Sequence, residues 1–496
     1  MLDIQKKLAP SFYALLSLPS TAMGFALSVQ ISALSWILST KYGLSIHEIG
    51  LVWAAGPIAG IFGQVIIGLI SDNVWFWGGR RRPFIIIGGV LAALMLLALP
   101  NIGVISAALG SGALLGVAIT IALTLDLAIN ISFNPTRSII ADVTPPGDAR
   151  TRGYTWMQTI SGTFGVGAYL VGAIWGNYTL IYFGAILVLL ISVIPPFFIE
   201  EPRVLQSENP ASDTPASGTS QPKASFGQIM IAITPLWGYL LYAFYGILSR
   251  LGVLPQSAGL DNFIQGASSG VTVVALAALF ALNITIGGPK FAHLIPFQKI
   301  LAAHSFTWLG IQTMFVYMFA YVQQKITGLT DNQMGQVVSI SFLLFNLIAA
   351  ILPATLLEPL TRKIGRVKTH LICIAIMAVG YAGIWLFGQS VGMIYILMGV
   401  VGIGWAATVS LPFAIMSQTI DQSRMGMYMG LFNLSVVLPQ LVASLGVGEA
   451  VSEATDKGLI FIICAISLAI SAVLWLFIKD NSTQADGLQK ITTGSH

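Results

Sequence analysis

The sequence predicts an all-α polytopic membrane protein, built as two six-helix bundles with an extra two-helix hairpin between them. Three observations carry this reading. Hydrophobic residues make up 56% of the 496 residues and charged residues only 8%, whereas soluble domains carry roughly 25% charged residues. So little charge cannot cover a water-facing surface, which excludes a soluble enzyme, and such high hydrophobicity excludes a disordered chain. Apolar runs of membrane-spanning length recur fourteen times. The basic residues crowd into alternate loops between those runs.

The first six runs lie near residues 12–38, 48–71, 84–100, 105–134, 154–176 and 178–199. Two follow at 227–249 and 267–289, and six more near 300–323, 335–360, 370–388, 391–416, 425–447 and 458–478. In lipid each segment must satisfy its own backbone polar groups, so the runs are expected to be helices. The 51 glycines are scattered through them, as suits closely packed membrane helices. The first run lacks a small-residue cleavage site and reads as a retained helix, not a signal peptide.

Orientation follows from Lys and Arg. With a cytoplasmic N-terminus and fourteen spans, 19 of the 23 basic residues fall on the cytoplasmic side, and only Lys41, Arg250, Lys325 and Lys457 fall outside. The hairpin at 227–289 is needed for this split, because dropping one of its helices inverts the second half. Both termini are therefore expected in the cytoplasm of a cell membrane, of the bacterial inner-membrane kind.

The domain plan is a bundle over 1–199, a cytoplasmic linker over 200–226, the hairpin and its connection over 227–299, and a second bundle over 300–480. Residues 481–496 form a tail whose last four, Thr493–His496, read as a cloning remnant. Glu200-Glu201-Pro202 stops a helix, and Ser207–Ser225 is rich in Pro, Ser, Thr and Gly without periodicity. An internal echo links the halves. Asp72 precedes Gly79-Arg80 by seven residues, as Glu358 precedes Gly365-Arg366, and the two sets are 286 residues apart. Related parallel halves produce such an offset.

Most acidic residues fall in loops or at helix ends. Asp126, in Leu123-Thr-Leu-Asp-Leu-Ala-Ile-Asn130, lies well inside the fourth run. A carboxylate there costs on the order of 3 kcal/mol even on the lenient insertion scale, so such residues face cavities or pathways. Burial disfavours its charged form, which makes Asp126 a candidate proton carrier; a structural hydrogen bond to a neighbouring helix is the plainer reading. Asn130 and Arg137 continue the same helix face. Eleven residues rise about 16 Å, so Arg137 cannot pair with Asp126 in an unbroken helix and belongs near the cytoplasmic mouth. Pro135 is a candidate distortion between them.

Other polar side chains inside apolar runs are Gln30, Gln64, Gln312, Asn346, Gln418, Asn433 and Gln440. Aromatics such as Trp308 and Trp405 mix with them. Amides beside flat apolar faces suit a sugar, which has hydroxyl edges and C–H faces. Each amide can equally bond helix to helix, and Trp and Tyr also belt the interface. Only the ensemble points to a neutral polar ligand. Asp72 closes a helix where the macrodipole does not help a carboxylate. It is expected to pair with Arg80, Arg81 and Arg82 in a cytoplasmic latch, echoed by Glu358, Arg362 and Arg366. His304 is given no role. Cys373 and Cys464 offer neither a disulfide framework nor metal spacing. No basic cluster interleaved with aromatics points to nucleic acid. No phosphate loop or nucleophile elbow points to ATP use or hydrolysis.

Longer motifs carry a family resemblance. The run Trp53-Ala-Ala-Gly56-Pro57-Ile-Ala-Gly60, with Gln64, Gly68, Ser71-Asp72 and Gly79-Arg-Arg-Arg-Pro83-Phe84, resembles plant sucrose transporters and their bacterial relatives. These are glycoside–pentoside–hexuronide:cation symporters of the major facilitator superfamily. Asp126-x-Ala128-x-Asn130-x4-Pro135-x-Arg137 is similar to their fourth helix. Gly402-Ile-Gly404-Trp405-Ala406 with Leu411-Pro412-Phe413 is similar to their tenth, and Gly426-Met-Tyr-Met-Gly430-Leu-Phe-Asn433 with Pro439-Gln440 to their eleventh. After Gly24-Phe-Ala-Leu27 the chain departs from the relatives' Gln, with Ser28 next and Gln30 two residues later. The hairpin lies outside the common twelve-helix pattern.

The resemblance implies a major facilitator fold and proton-coupled import of a disaccharide of the sucrose or maltose type by alternating access. It implies roles in coupling and sugar binding for Asp126, and a functional role for Arg137. The expected partners are the sugar and the bilayer, with the proton as coupling ion, no cofactor and a monomeric protein. Asn130, Gln64, Asn433, Gln440 and Trp405 are further candidates for substrate binding. The residues alone leave open an exporter of apolar compounds, a sodium-coupled symporter and a sugar sensor.

Overall fold

The structure is a computed structural model described over residues 3–60, 70, 74–110, 113–145, 148–203, 225–250, 252–255, 257–420 and 425–479. Gln64 and Asp72 lie outside the described residues. The first six helices are α1 Pro10–Thr40, α2 Ile46–Trp53, α3 Arg82–Ala98, α4 Leu114–Val143, α5 Asp148–Trp175 and α6 Asn177–Phe198. The hairpin is α7 Trp237–Arg250 and α8 Ala258–Leu276. Then come α9 Ile295–Lys325, α10 Asp331–Leu352, α11 Arg366–Phe387, α12 Val391–Ser410, α13 Met425–Val442 and α14 Leu459–Trp475.

Among the described residues nine helices are long and apolar enough to cross a membrane, or ten if the pair Phe226–Ala232 and Thr234–Arg250 forms one span. The other four of the fourteen expected runs differ for visible reasons. Helix α2 leads toward residues outside the described set. Helices α5 and α9 carry polar side chains such as Arg150, Arg152, Gln298 and His304. Helix α14 has only 17 residues.

One run is bent and two run boundaries are corrected. The run at 227–249 is not straight but bends by 69°, where a short 3-10 turn, Thr234–Leu236, carries Pro235. Helix α4 starts at Leu114, not near 105, because the chain turns through Gly110 at φ +64°. Helix α8 starts at Ala258, not 267, because Ser257 caps it ahead of polar turns holding Asp261 and Gln265. The apolar stretch after it leaves the helix through Asn283 and Gly288, both at positive φ.

The chain forms two compact units, one of residues 1–223 with 329–343 and the other of 224–328 with 344–496. In the first, α1 packs on α5 and α6, and α3 packs on α4 and α6. Two glycines set the spacing around α3. A Cβ on Gly88 would lie 2.6 Å from the Ala128 carbonyl oxygen of α4, and one on Gly89 would lie 1.9 Å from Ser192 Oγ of α6. Backbone-to-backbone approach of this kind is how small residues pack membrane helices. Helix α4 remains continuous through Pro135, so the expected distortion does not break it. In the second unit, α9 packs on α13 and α14, α11 packs on α12 and α14, and α7 joins the hairpin to α13.

One end of the first unit is closed by a buried apolar cluster that includes Phe12, Leu16, Ile85, Ile139 and Ile199. Beside it, Glu201 caps α3. Its Oε2 accepts from the backbone N–H groups of Arg80 and Arg81, and its Oε1 from that of Arg82, each at 2.8 Å. A carboxylate suits a helix N-terminus, where N–H groups lack partners. A hydrogen bond to a charged group contributes about 1.5–3 kcal/mol. Glu201→Ala is therefore expected to destabilise the protein by on the order of 3 kcal/mol and to lower its melting temperature in detergent by several degrees. Arg80→Ala keeps the backbone N–H and should shift it far less. Equal shifts in a thermal unfolding assay would refute the capping role.

Candidate functional site

In the first unit, Asp126 is buried on α4 with 7% of its surface exposed. The Gln30 side chain on α1 donates Nε2–H to Asp126 Oδ2 at 3.0 Å. Asn130, one turn on, donates Nδ2–H back to the Asp126 backbone carbonyl at 2.8 Å. A Cβ on Gly56 would stand 3.2 Å from Asp126 Oδ2 and 3.4 Å from Cγ. The glycine, in the helical residues 55–60 that follow α2, thus leaves room for the carboxyl group. An acid held by a neutral amide can gain or lose a proton without breaking an ion pair. Among the described residues no basic side chain is recorded against this carboxyl group.

Arg137 stands eleven residues along the unbroken α4, at a rise of about 16 Å, so it is not a direct partner of Asp126. It is exposed, with its guanidinium 4.4 Å from the Phe133 ring centroid and its carbonyl accepting from Tyr154 Oη–H at 3.2 Å. Gln30 and Gly56 both meet Asp126, and neither is marked as its neighbour by the sequence. Gln30 had a signal, an amide inside an apolar run, but nothing in the sequence says which of several amides meets Asp126.

The second unit gathers a separate set of aromatic and amide groups. The Trp405 ring stacks on Phe345 at 5.3 Å and 19°, and meets Trp308 and Phe315 edge-on at 5.8 Å and 5.7 Å. Trp405 Nε1–H donates to Asn346 Oδ1 at 3.3 Å. Gln440 donates Nε2–H to Gln312 Oε1 at 3.2 Å. Trp308 donates to His304 Nε2 at 2.9 Å, and the His304 ring stacks on Phe432 at 4.8 Å. Trp308, Asn346, Trp405, Asn433 and Gln440 are half-buried, so their edges remain reachable. Asn433 follows Phe432 on α13.

Several of the described charged residues expected in a latch have contacts within their own unit. Arg81 Nε donates to Asp142 Oδ2 at 2.9 Å, with side chains 7% and 11% exposed. Arg82 donates to the Ile199 carbonyl at 2.6 Å. Among the described residues the carboxylates at this arginine cluster are Asp142 and Glu201; the expected Asp72 partner lies outside the described residues. Glu358 pairs with Arg362 one turn along its own exposed helix. Arg366 opens α11 after Gly365, whose φ of +89° makes the turn. Among the described residues no group of His, Cys, Asp and Glu could hold a metal ion.

The chain matches the family model of the Major Facilitator Superfamily over residues 16–444 and again over 300–491. It belongs to that superfamily. As a member it is a multi-pass membrane transporter and not an enzyme. It is 24% identical over 470 residues to the sucrose transport protein SUC4 of Arabidopsis thaliana, spanning 88% of this chain and 83% of that protein. A general alpha-glucoside permease of Schizosaccharomyces pombe is 30% identical over 174 residues, 32% of this chain and 31% of that one. Among solved structures, the inward-open xylose transporter XylE from E. coli aligns with a TM-score of 0.60 over 95% of this chain and 96% of that chain, at 13% identity. The nucleoside transporter NupG mutant aligns at 0.61 over 94% and 99%, at 14% identity. These structures share the superfamily fold.

The Asp126 pocket makes a local prediction about a member of this superfamily. Gly56→Ala places a methyl group 3.2 Å from Asp126 Oδ2, whereas Gly60→Ala meets nothing within 4 Å. Transport in proteoliposomes is expected to fall several-fold for Gly56→Ala and to stay at the wild-type rate for Gly60→Ala. Equal rates would mean that the carboxyl group tolerates displacement.

Proposed function

We propose that this protein is a proton-coupled sugar symporter that imports a disaccharide of the sucrose or maltose type by alternating access. The observation that carries this is the Asp126 carboxyl group, buried in α4 and bonded by Gln30 with Asn130 one turn away. The named sucrose and alpha-glucoside transporters among the relatives support a sugar as substrate.

Asp126 takes the proton, and its neutral form removes a charge that would otherwise be carried through a dry interior. Sugar hydroxyls bond Asp126 and Asn130. In the second unit Trp405 offers an apolar ring to a sugar C–H face, and Gln440 and Asn433 offer amides to hydroxyls. Gln64 belongs to the same proposed set, and Arg137 acts at the cytoplasmic mouth. The gating residues are Asp72, Arg80, Arg81 and Arg82 in the first half and Glu358, Arg362 and Arg366 in the second. The protein works as a monomer in a cell membrane of the bacterial inner-membrane kind, with both termini cytoplasmic and no cofactor besides the proton.

One proton entering across 100 mV releases about 2.3 kcal/mol, enough for accumulation by tens-fold. Wild-type proteoliposomes are expected to accumulate labelled disaccharide when the exterior is acidified. Asp126→Asn should lose that accumulation and keep exchange of labelled for unlabelled sugar. Accumulation by Asp126→Asn under an imposed proton gradient would overturn the coupling assignment. Uptake that follows sodium after the proton gradient is collapsed would make sodium the coupling ion.

A further inference from the structure

The inserted hairpin closes over a small cavity in the second unit that the transport reading does not use. The cavity, about 170 Å³, lies between the start of the hairpin, the segment joining α8 to α9, and the first turns of α13. Its polar lining side chains include the donors Lys290, His293 and Gln228, together with Tyr428. Among the described residues no Asp or Glu lines it. Ile229, Leu294 and Leu431 supply apolar wall.

Local chemistry fixes this arrangement. Ser225 and Gln228 form a capping box in which Gln228 Oε1 accepts from the Ser225 N–H at 3.1 Å. That use of the oxygen leaves the amide N–H2 as the end available to a ligand. Gly287 admits no side chain, because a Cβ there would lie 2.4 Å from the Phe291 ring. The ring is thereby held against the turn, with Lys290 Nζ 6.0 Å from its centroid and His293 stacked at 6.4 Å and 29°. Lys290 and His293 are themselves exposed, so a ligand can reach them from water. Phe226 and Met429 are exposed apolar side chains on two of the elements that form the cavity, at 78% and 44%.

We propose that this cavity binds the phosphate headgroup of an anionic amphiphile, with Lys290, His293 and Gln228 on the phosphate and the tail lying along Phe226 and Met429. Cationic and N–H donors without a carboxylate select an anion. An apolar wall and an exposed apolar flank select an acyl chain over a fully hydrated solute. A volume of about 170 Å³ holds a headgroup and not a whole lipid. The loop carrying Lys290 falls on the side that the basic residues assign to the cytoplasm, where anionic headgroups attract Lys. The ligand ties the hairpin to α13.

The test uses the full-length protein purified from mixed vesicles of dioleoylphosphatidylglycerol and dioleoylphosphatidylcholine, with native mass spectrometry counting retained lipid. Wild type is expected to retain phosphatidylglycerol several-fold over phosphatidylcholine. Lys290→Ala/His293→Ala should lose that preference, and Lys290→Arg should keep it, while thermal unfolding shows all three folded. Displacement of the lipid by soluble glycerol 1-phosphate would assign the same site to a free phosphate ester. Equal retention of phosphatidylglycerol by wild type and the double variant, both folded, would overturn the proposal.

Discussion

One carboxyl group buried inside an apolar helix is the constraint around which the first unit is arranged. Placing an acid at that depth costs on the order of 3 kcal/mol, and the surrounding residues answer that cost locally. Gln30 gives the carboxyl group a neutral donor, Asn130 steadies the backbone one turn below, and Gly56 leaves the space it occupies. A guanidinium in place of Gln30 would hold the group permanently charged. A neutral amide stabilises it without fixing its proton, which is the property a proton carrier needs.

The packing of the first unit follows from holding that helix in place. Gly88 and Gly89 bring α3 into backbone contact with α4 and α6, so α4 has little freedom to slide. At the end of the unit, Glu201 gathers the N-terminal N–H groups of α3 while Arg81 reaches Asp142 on α4. The charges therefore tie α3 both to α4 and to the segment after α6. The arginine run has a structural duty in addition to any role in setting membrane orientation.

Much of this was legible in the sequence. Low charge and recurrent apolar runs gave the membrane class, and the spacing of Asp72–Gly79 and Glu358–Gly365 gave the duplicated plan. Asp126 stood out because acids are expensive in apolar helices. What was not legible depends on which residues meet across the fold. Several amides lie inside apolar runs, and nothing local distinguishes Gln30 as the one facing Asp126. Glu201 read as a helix stop, since a capping carboxylate 119 residues from the nearest N–H it binds leaves no periodic trace. The boundaries of α4 and α8 shifted because hydropathy follows composition, whereas helix ends follow caps such as Ser257 and left-handed turns such as Gly110.

The hairpin shows the same separation between composition and geometry. Its basic and apolar pattern demanded two more crossings to keep the positive charges on one side. The geometry adds a bend of 69° near Pro235 and a turn at Gly287-Gly288 that folds Phe291 back onto the chain. These two departures from straight helices leave the cavity against α13, with donors at its mouth and no carboxylate among its described lining residues. A pair of helices added only to restore orientation would need neither the bend nor the donors. Their presence together is the reason to regard the insertion as a binding element and not merely as a connection between halves.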